Sequence, residues 1–118
     1  MQSLTELRQV CAALPHSQET FPFGLSTLVF KVAGKMYALT SLDAEYPSVS
    51  LKVKPDDGEE LRRAFSAITP GYHLNKRHWI TVPLDGSVPD ALLRELVQGS
   101  YALVVRGLTR AAREELNL

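Results

Sequence analysis

The 118-residue chain has one cysteine, Cys11, so no internal disulfide can staple the fold, and the reducing cytoplasm is the compartment to expect. No Cys/His spacing resembles a zinc site, which removes a structural metal from consideration. Nowhere do about 20 apolar residues follow one another, as a membrane span requires, and Met1 to Val10 is too polar for a secretory leader. No membrane partner is therefore expected. Gly34, Gly58 and Gly71 stand alone, so the glycine-rich fingerprints of phosphate and dinucleotide binding are missing. Also absent is any serine or cysteine set beside a histidine and an orienting carboxylate, so the expected protein is non-enzymatic, with no cofactor. Excess charge is lacking as well. With 13 basic and 13 acidic residues, only a segregation of signs within the fold could attract a polyanion. Repeats and low-complexity linkers are absent, and residues 1–118 read as one domain, long enough to bury about two thirds of the surface of its unfolded chain.

What is present is a change of period along the chain. Ser3 opens a helix to Ala13 as a capping box with Glu6, and Leu4, Leu7, Val10, Cys11 and Leu14 recur at helical spacing until Pro15 ends the run. Phe21 and Phe23 follow in a connector, where they are expected to plug an edge of the core. From Thr27 the period becomes two. Leu28, Phe30 and Val32 form one strand, Gly34 and Lys35 a turn, and Met36 to Leu42 the return strand. In a third strand Val49, Leu51 and Val53 point inward while Ser50, Lys52 and Lys54 point out to an open, wet face.

Pro55 starts a second helix, and Asp56, Asp57, Glu59 and Glu60 suit its N-terminal dipole better than a cation site. Leu61, Ala64, Phe65 and Ile68 give that helix its buried stripe. Two further strands, Tyr72 to Leu74 and His78 to Leu84, join around Asn75 and Lys76. If those two residues are the turn, Tyr72 faces Trp79 and His73 faces His78. Ser87 is placed to cap a long helix from about Pro89, in which Gly99 suggests close packing on the sheet, and Thr109 caps a last short helix. The expected fold is α+β, a two-layer sandwich in which helices cover one face of a twisted antiparallel sheet of about five strands, in the order α-β3-α-β2-α-α.

Cys11 lies on an apolar stripe and reads as a small buried hydrophobe. Two imidazoles at His73 and His78, without a carboxylate or thiolate, make an incomplete metal site, so no metal is expected. Charge placement carries more. Lys31, Lys52 and Lys54 share the outward face of the sheet, Lys35 sits at the first hairpin tip, and Asn75, Lys76 and Arg77 sit at the second. Tyr72 and Trp79 add flat apolar surface beside them. Cations interleaved with aromatics are what phosphate contact combined with base stacking requires, although outward lysines also serve solubility. DNA is the expected partner, with Lys35, Lys76 and Arg77 on phosphates and Lys31, Lys52 and Lys54 as diffuse attraction. The alternative is a protein-interaction module that binds a partner segment on the sheet or helices, with Trp79 as anchor.

The stretches Val29-Phe30-Lys31-Val32, Gly34-Lys35-Met36 and Val49-Ser50-Leu51-Lys52, and above all Pro70 to Trp79, followed by Leu84 to Pro89 and Ser100-Tyr101, closely resemble the MmcQ/YjbR family of small bacterial proteins. The resemblance runs from Leu14 to Leu116. It implies a fold similar to type III secretion chaperones and frataxin-type domains, two protruding hairpins that form a double wing, and a DNA-binding role. Gly34, Lys35 and Met36 would make one wing, and Asn75, Lys76 and Arg77 the other. Ile80 departs from the pattern, which leads one to expect a polar residue, often asparagine, after the tryptophan.

Overall fold

Alternating apolar positions commit the middle of the chain to strands, and the computed structural model, which describes residues 1–118, joins six of them into one sheet. The elements are α1 (Leu4–Ala12), β1 (Ser17–Thr20), β2 (Thr27–Val32), β3 (Lys35–Ser41), β4 (Ser48–Lys52), α2 (Pro55–Ala64), β5 (Thr69–Pro70), β6 (Trp79–Pro83), α3 (Asp90–Arg106) and α4 (Arg110–Leu116). Sheet order is β1-β2-β3-β4-β6-β5, antiparallel at every step. The α+β expectation holds, with one strand more than expected. The addition is β1, whose sequence Ser-Gln-Glu-Thr has no apolar alternation because it lies at the edge and pairs only with β2.

Helices α1 and α3 cover the inner face. Leu28, Phe30, Val32, Val49, Leu51, Ile80 and Val82 meet Leu7 and Cys11 of α1 and Leu93, Val97, Tyr101 and Val104 of α3. Each fully buried side chain of this kind contributes roughly 2 kcal/mol of transfer free energy, so this layer dominates stability. The Ser3 hydroxyl caps α1 by accepting from the Glu6 amide at 3.1 Å, and Thr109 caps α4 by accepting from the Ala112 amide at 3.1 Å. Ser87 does not cap α3. Its amide and hydroxyl both donate to Asp85 Oδ1 in a tight turn, which holds the Asp85 carboxyl below its usual range.

Two irregularities shape the sheet. Residues directly opposite run Phe30↔Ala38 and then Lys31↔Met36, so β3 carries one extra residue, Tyr37. This bulge turns Tyr37 and Ala38 into the core together, where the Tyr37 ring lies edge-on to Tyr101. The ladder between β3 and β4 stops at Ala38↔Leu51. Where the next pair would form, the Ser100 hydroxyl of α3 takes over, accepting from the Lys52 amide at 2.8 Å and donating to the Tyr37 carbonyl. A helix thus completes the hydrogen bonding between two strands, which explains why Ser100 is almost fully buried.

The β2–β3 turn is Ala33-Gly34, one residue earlier than the expected Gly34-Lys35, and both residues have positive φ (51° and 76°), as a type I′ hairpin requires. Gly99 faces open space: a methyl group added there would meet no atom within 4 Å, so close packing does not explain this glycine.

Candidate nucleic-acid interface

The register fixes which residues share an end of the sheet. Val32 opposes Lys35, Lys52 opposes Trp79 and Pro70 opposes Ile80, so the β2–β3 turn, the end of β4 and the β5–β6 loop leave the sheet in the same direction. Lys31, Lys35, Lys52, Lys54 and Lys76, which are all the lysines of the chain, lie at this basic end together with Arg77. Lys35, Lys54, Lys76 and Arg77 are exposed, whereas Lys31 and Lys52 are half-buried. Ion pairs in the molecule involve Arg8, Arg63, Arg94, Arg110 and the Met1 amine, and none of these six cations. Asp43 and Glu45, between β3 and β4, and Asp85, after β6, lie at the opposite end. Carboxylates approach the basic end on the helical side, where Asp57 and Glu95 share a groove between α2 and α3 with Lys52, Lys54 and Arg106.

The second hairpin differs from the sequence expectation. Tyr72, His73 and Leu74 are not a strand, and Asn75-Lys76 is not a two-residue turn. Pairing runs Thr69↔Thr81 and Pro70↔Ile80, then closes with the Gly71 amide donating to the Trp79 carbonyl at 2.8 Å, one residue out of the expected register. Tyr72 therefore does not face Trp79, nor His73 His78. Trp79 is opposite Lys52 instead.

Local bonds hold the loop from Tyr72 to His78. The Tyr72 amide donates to Thr81 Oγ1 at 3.3 Å, Lys76 Nζ to the Gly71 carbonyl at 3.1 Å and the Arg77 amide to Asn75 Oδ1 at 2.9 Å. His73 holds a positive φ of 58°, a strain that these bonds sustain. No group of three or more His, Cys, Asp or Glu side chains is arranged to hold a metal ion.

The outward face of the sheet is not an open wet surface. Val29 and Ser50, which point away from the helices, are buried. A cleft of about 430 Å³ occupies this face. Its floor carries Thr27, Leu39, Ser41, Ser48, Ser50 and Thr81. Phe23, from the β1–β2 connector, walls one side, and Tyr72, His73 and Leu74, from the β5–β6 loop, wall the other. Phe21 and Phe23 do not plug the core: they are 43% and 69% exposed. Of the cleft residues only Tyr72 is among those the sequence marks for contact with DNA. The signal that marks the others is the row of hydroxyl residues at outward strand positions, where a solvated face usually carries charge.

The same arrangement of elements occurs in known proteins. Residues 12–103 match the family described as YjbR. The uncharacterized protein YjbR of Escherichia coli strain K12 is 37% identical over 114 residues, 97% of each chain. YbdF of Escherichia coli O157:H7, also described as uncharacterized, is 38% identical over 110 residues, 92% of this chain and 90% of its own. Among solved structures, the Deinococcus radiodurans protein DR2400 is 56% identical with a TM-score of 0.94, covering all of this chain and 90% of its own. A Pseudomonas syringae crystal structure is 26% identical with a TM-score of 0.75, over 86% of this chain and 97% of its own. Matched in sequence over most of its length and in fold over all of it, the chain belongs to the YjbR family.

Proposed function

We propose that the protein is a non-enzymatic, cytoplasmic DNA-binding protein of regulatory type, whose β2–β3 turn and β5–β6 loop act as two wings on the nucleic-acid backbone. The observation that carries this reading is the gathering of every lysine of a neutral chain, with Arg77, at one end of the sheet, none of them in an ion pair. Exposed Lys35, Lys76 and Arg77 contact phosphates, half-buried Lys31 and Lys52 with Lys54 supply background attraction, and the Asn75 turn fixes the presentation of Arg77. Trp79 lies beside Lys52 across the ladder, in position to pack against sugar or base.

Fluorescence anisotropy with a labelled duplex at low salt tests the reading. The Lys76→Ala, Arg77→Ala double variant is expected to bind more weakly and to lower the slope of log affinity against log salt by about two. Equal binding by wild type and variant rejects the site.

A second reading, a protein-interaction module, is favoured by the exposed Phe23, Leu25, Tyr46 and Tyr72, which are 69%, 83%, 79% and 70% exposed. A complex that resists nuclease and high salt distinguishes it.

A further inference from the structure

The cleft on the outward face and the basic end are built by the same loop. Tyr72, His73 and Leu74 wall the cleft, and Lys76 and Arg77, a few residues later, lie at the basic end. From the DNA-binding reading, on which this step rests, we infer that the cleft seats one unpaired base of a single nucleic-acid strand whose phosphates lie along Lys52, Lys76 and Arg77.

Four observations carry the assignment. The first is size, since about 430 Å³ lies within the range of sites that enclose a small organic group. The second is the chemistry of the lining. It contains no carboxylate, lysine or arginine, and it has aromatic rings from opposite margins, Phe23 and Tyr72, above a floor of hydroxyls. Such a lining suits a flat, uncharged ring with hydrogen-bonding edges, because a ring face of any base can stack on an aromatic side chain.

The third is the hydrogen-bonding capacity of the floor. Ser50 Oγ and Thr81 Oγ1 are 2.9 Å apart and share one proton donation, while Thr81 also accepts from the Tyr72 amide. One hydroxyl proton and the remaining lone pairs stay free to read a base edge. The fourth is spacing. Ser50 opposes Thr81 and Lys52 opposes Trp79, so Ser50 on the floor of the cleft and the position of Lys52 are two residues apart along β4, about 7 Å. That is within the reach of a nucleotide from its base to its phosphate.

The test compares a short labelled oligothymidylate, a duplex of the same length, an abasic strand and free thymidine monophosphate. Binding is measured with wild type, Tyr72→Ala, Phe23→Ala and the Lys76→Ala, Arg77→Ala pair. Tyr72 and Phe23 are largely exposed, so their truncation leaves the fold intact, as circular dichroism will check. The single strand is expected to bind more tightly than the duplex or the abasic strand. Tyr72→Ala and Phe23→Ala should each weaken it about tenfold, and Phe23→Ala, at a residue outside the basic end, should leave duplex affinity unchanged. Amide shifts on strand addition should fall at Thr27, Leu39, Ser50 and Thr81.

Equal affinity for strand and duplex, with no effect of Tyr72→Ala, overturns the inference and leaves the basic-end reading standing. Binding of the monophosphate as tight as that of the strand overturns it in favour of a free nucleotide. Failure of every nucleic acid to bind overturns both.

Discussion

Ala33 occupies the left-handed region with a φ of 51°, where a Cβ costs an L-residue about 1–2 kcal/mol. Glycine there removes the strain and loses part of the gain to backbone entropy, so Ala33→Gly should stabilise the protein by about 0.5–1 kcal/mol in chemical denaturation. Gly71 has the opposite constraint. A methyl group on it would lie 2.6 Å from Trp79 Cβ and 3.2 Å from the Trp79 carbonyl, against atoms held in the ladder. Gly71→Ala is expected to cost roughly 1–3 kcal/mol, read as a lowered melting temperature, and to disorder the loop that presents Lys76 and Arg77. Burial of Cys11 pushes its thiol from an ordinary 9.0 up to about 12, and burial raises Tyr37 as well, the latter while hydrogen-bonded to Ser17. Both groups hold their protons more tightly in the folded state, so their contribution to stability is constant below about pH 9 and falls above it, from near 9 for Cys11 and from near 10 for Tyr37, as only the unfolded chain releases them. The slope is about 1.4 kcal/mol per pH unit for each group. Urea titrations across that window should show the decline, and Cys11→Ala should remove the part that begins near pH 9.

At the level of elements, the Ser100 bridge makes the junction of β3, β4 and α3 depend on one hydroxyl. Ser100→Ala leaves the Lys52 amide and the Tyr37 carbonyl without a partner in a buried setting, and the expected loss is about 2 kcal/mol in equilibrium unfolding. Valine in its place should cost more, since its second methyl would press on the Lys52 amide and Tyr37 carbonyl in a buried setting. Nothing local announces this role, because Ser100 lies within an apolar helical stripe and its partners are 48 and 63 residues away. Other parts are legible in the sequence. The strand positions of β2 and β4, the Ser3 and Thr109 caps and the helix start at Pro55 all rest on short-range rules, and the structure keeps them, while the alternation of buried and wet positions fails at Val29 and Ser50, which are buried on the outward face. The second hairpin escapes those rules because Tyr72, His73 and Leu74 have strand-like composition, while the ladder is set by the close approach of Gly71 to Trp79, a contact between residues that only the folded sheet brings together. Alternation and turn position are enough to find the cations of the candidate site. They do not reveal the cleft, since its two walls come from segments at opposite margins of the sheet.

Across the whole molecule, zero net charge conceals a partial polarity, with all the lysines at one end, where Asp56 and Asp57 follow Lys54 on the helical side, and Asp43, Glu45 and Asp85 at the other. If the six cations each displace one counterion, duplex affinity should fall with salt along a log–log slope no steeper than about −5, and the acidic end should orient the protein during approach. A slope near zero in a salt titration would count against electrostatic docking at that end. The two margins of the sheet carry a separate consequence. On one side lies β5, two residues long and ending in Pro70, and on the other β1, four polar residues with Glu19 tied to Arg8 by paired bonds of 2.8 and 2.9 Å. Neither offers a long, flat row of free amides and carbonyls, so an added strand would find little backbone to zip onto. The molecule has to make its associations with side chains, across a face or an end, and is guarded by its own borders against polymerising edge to edge.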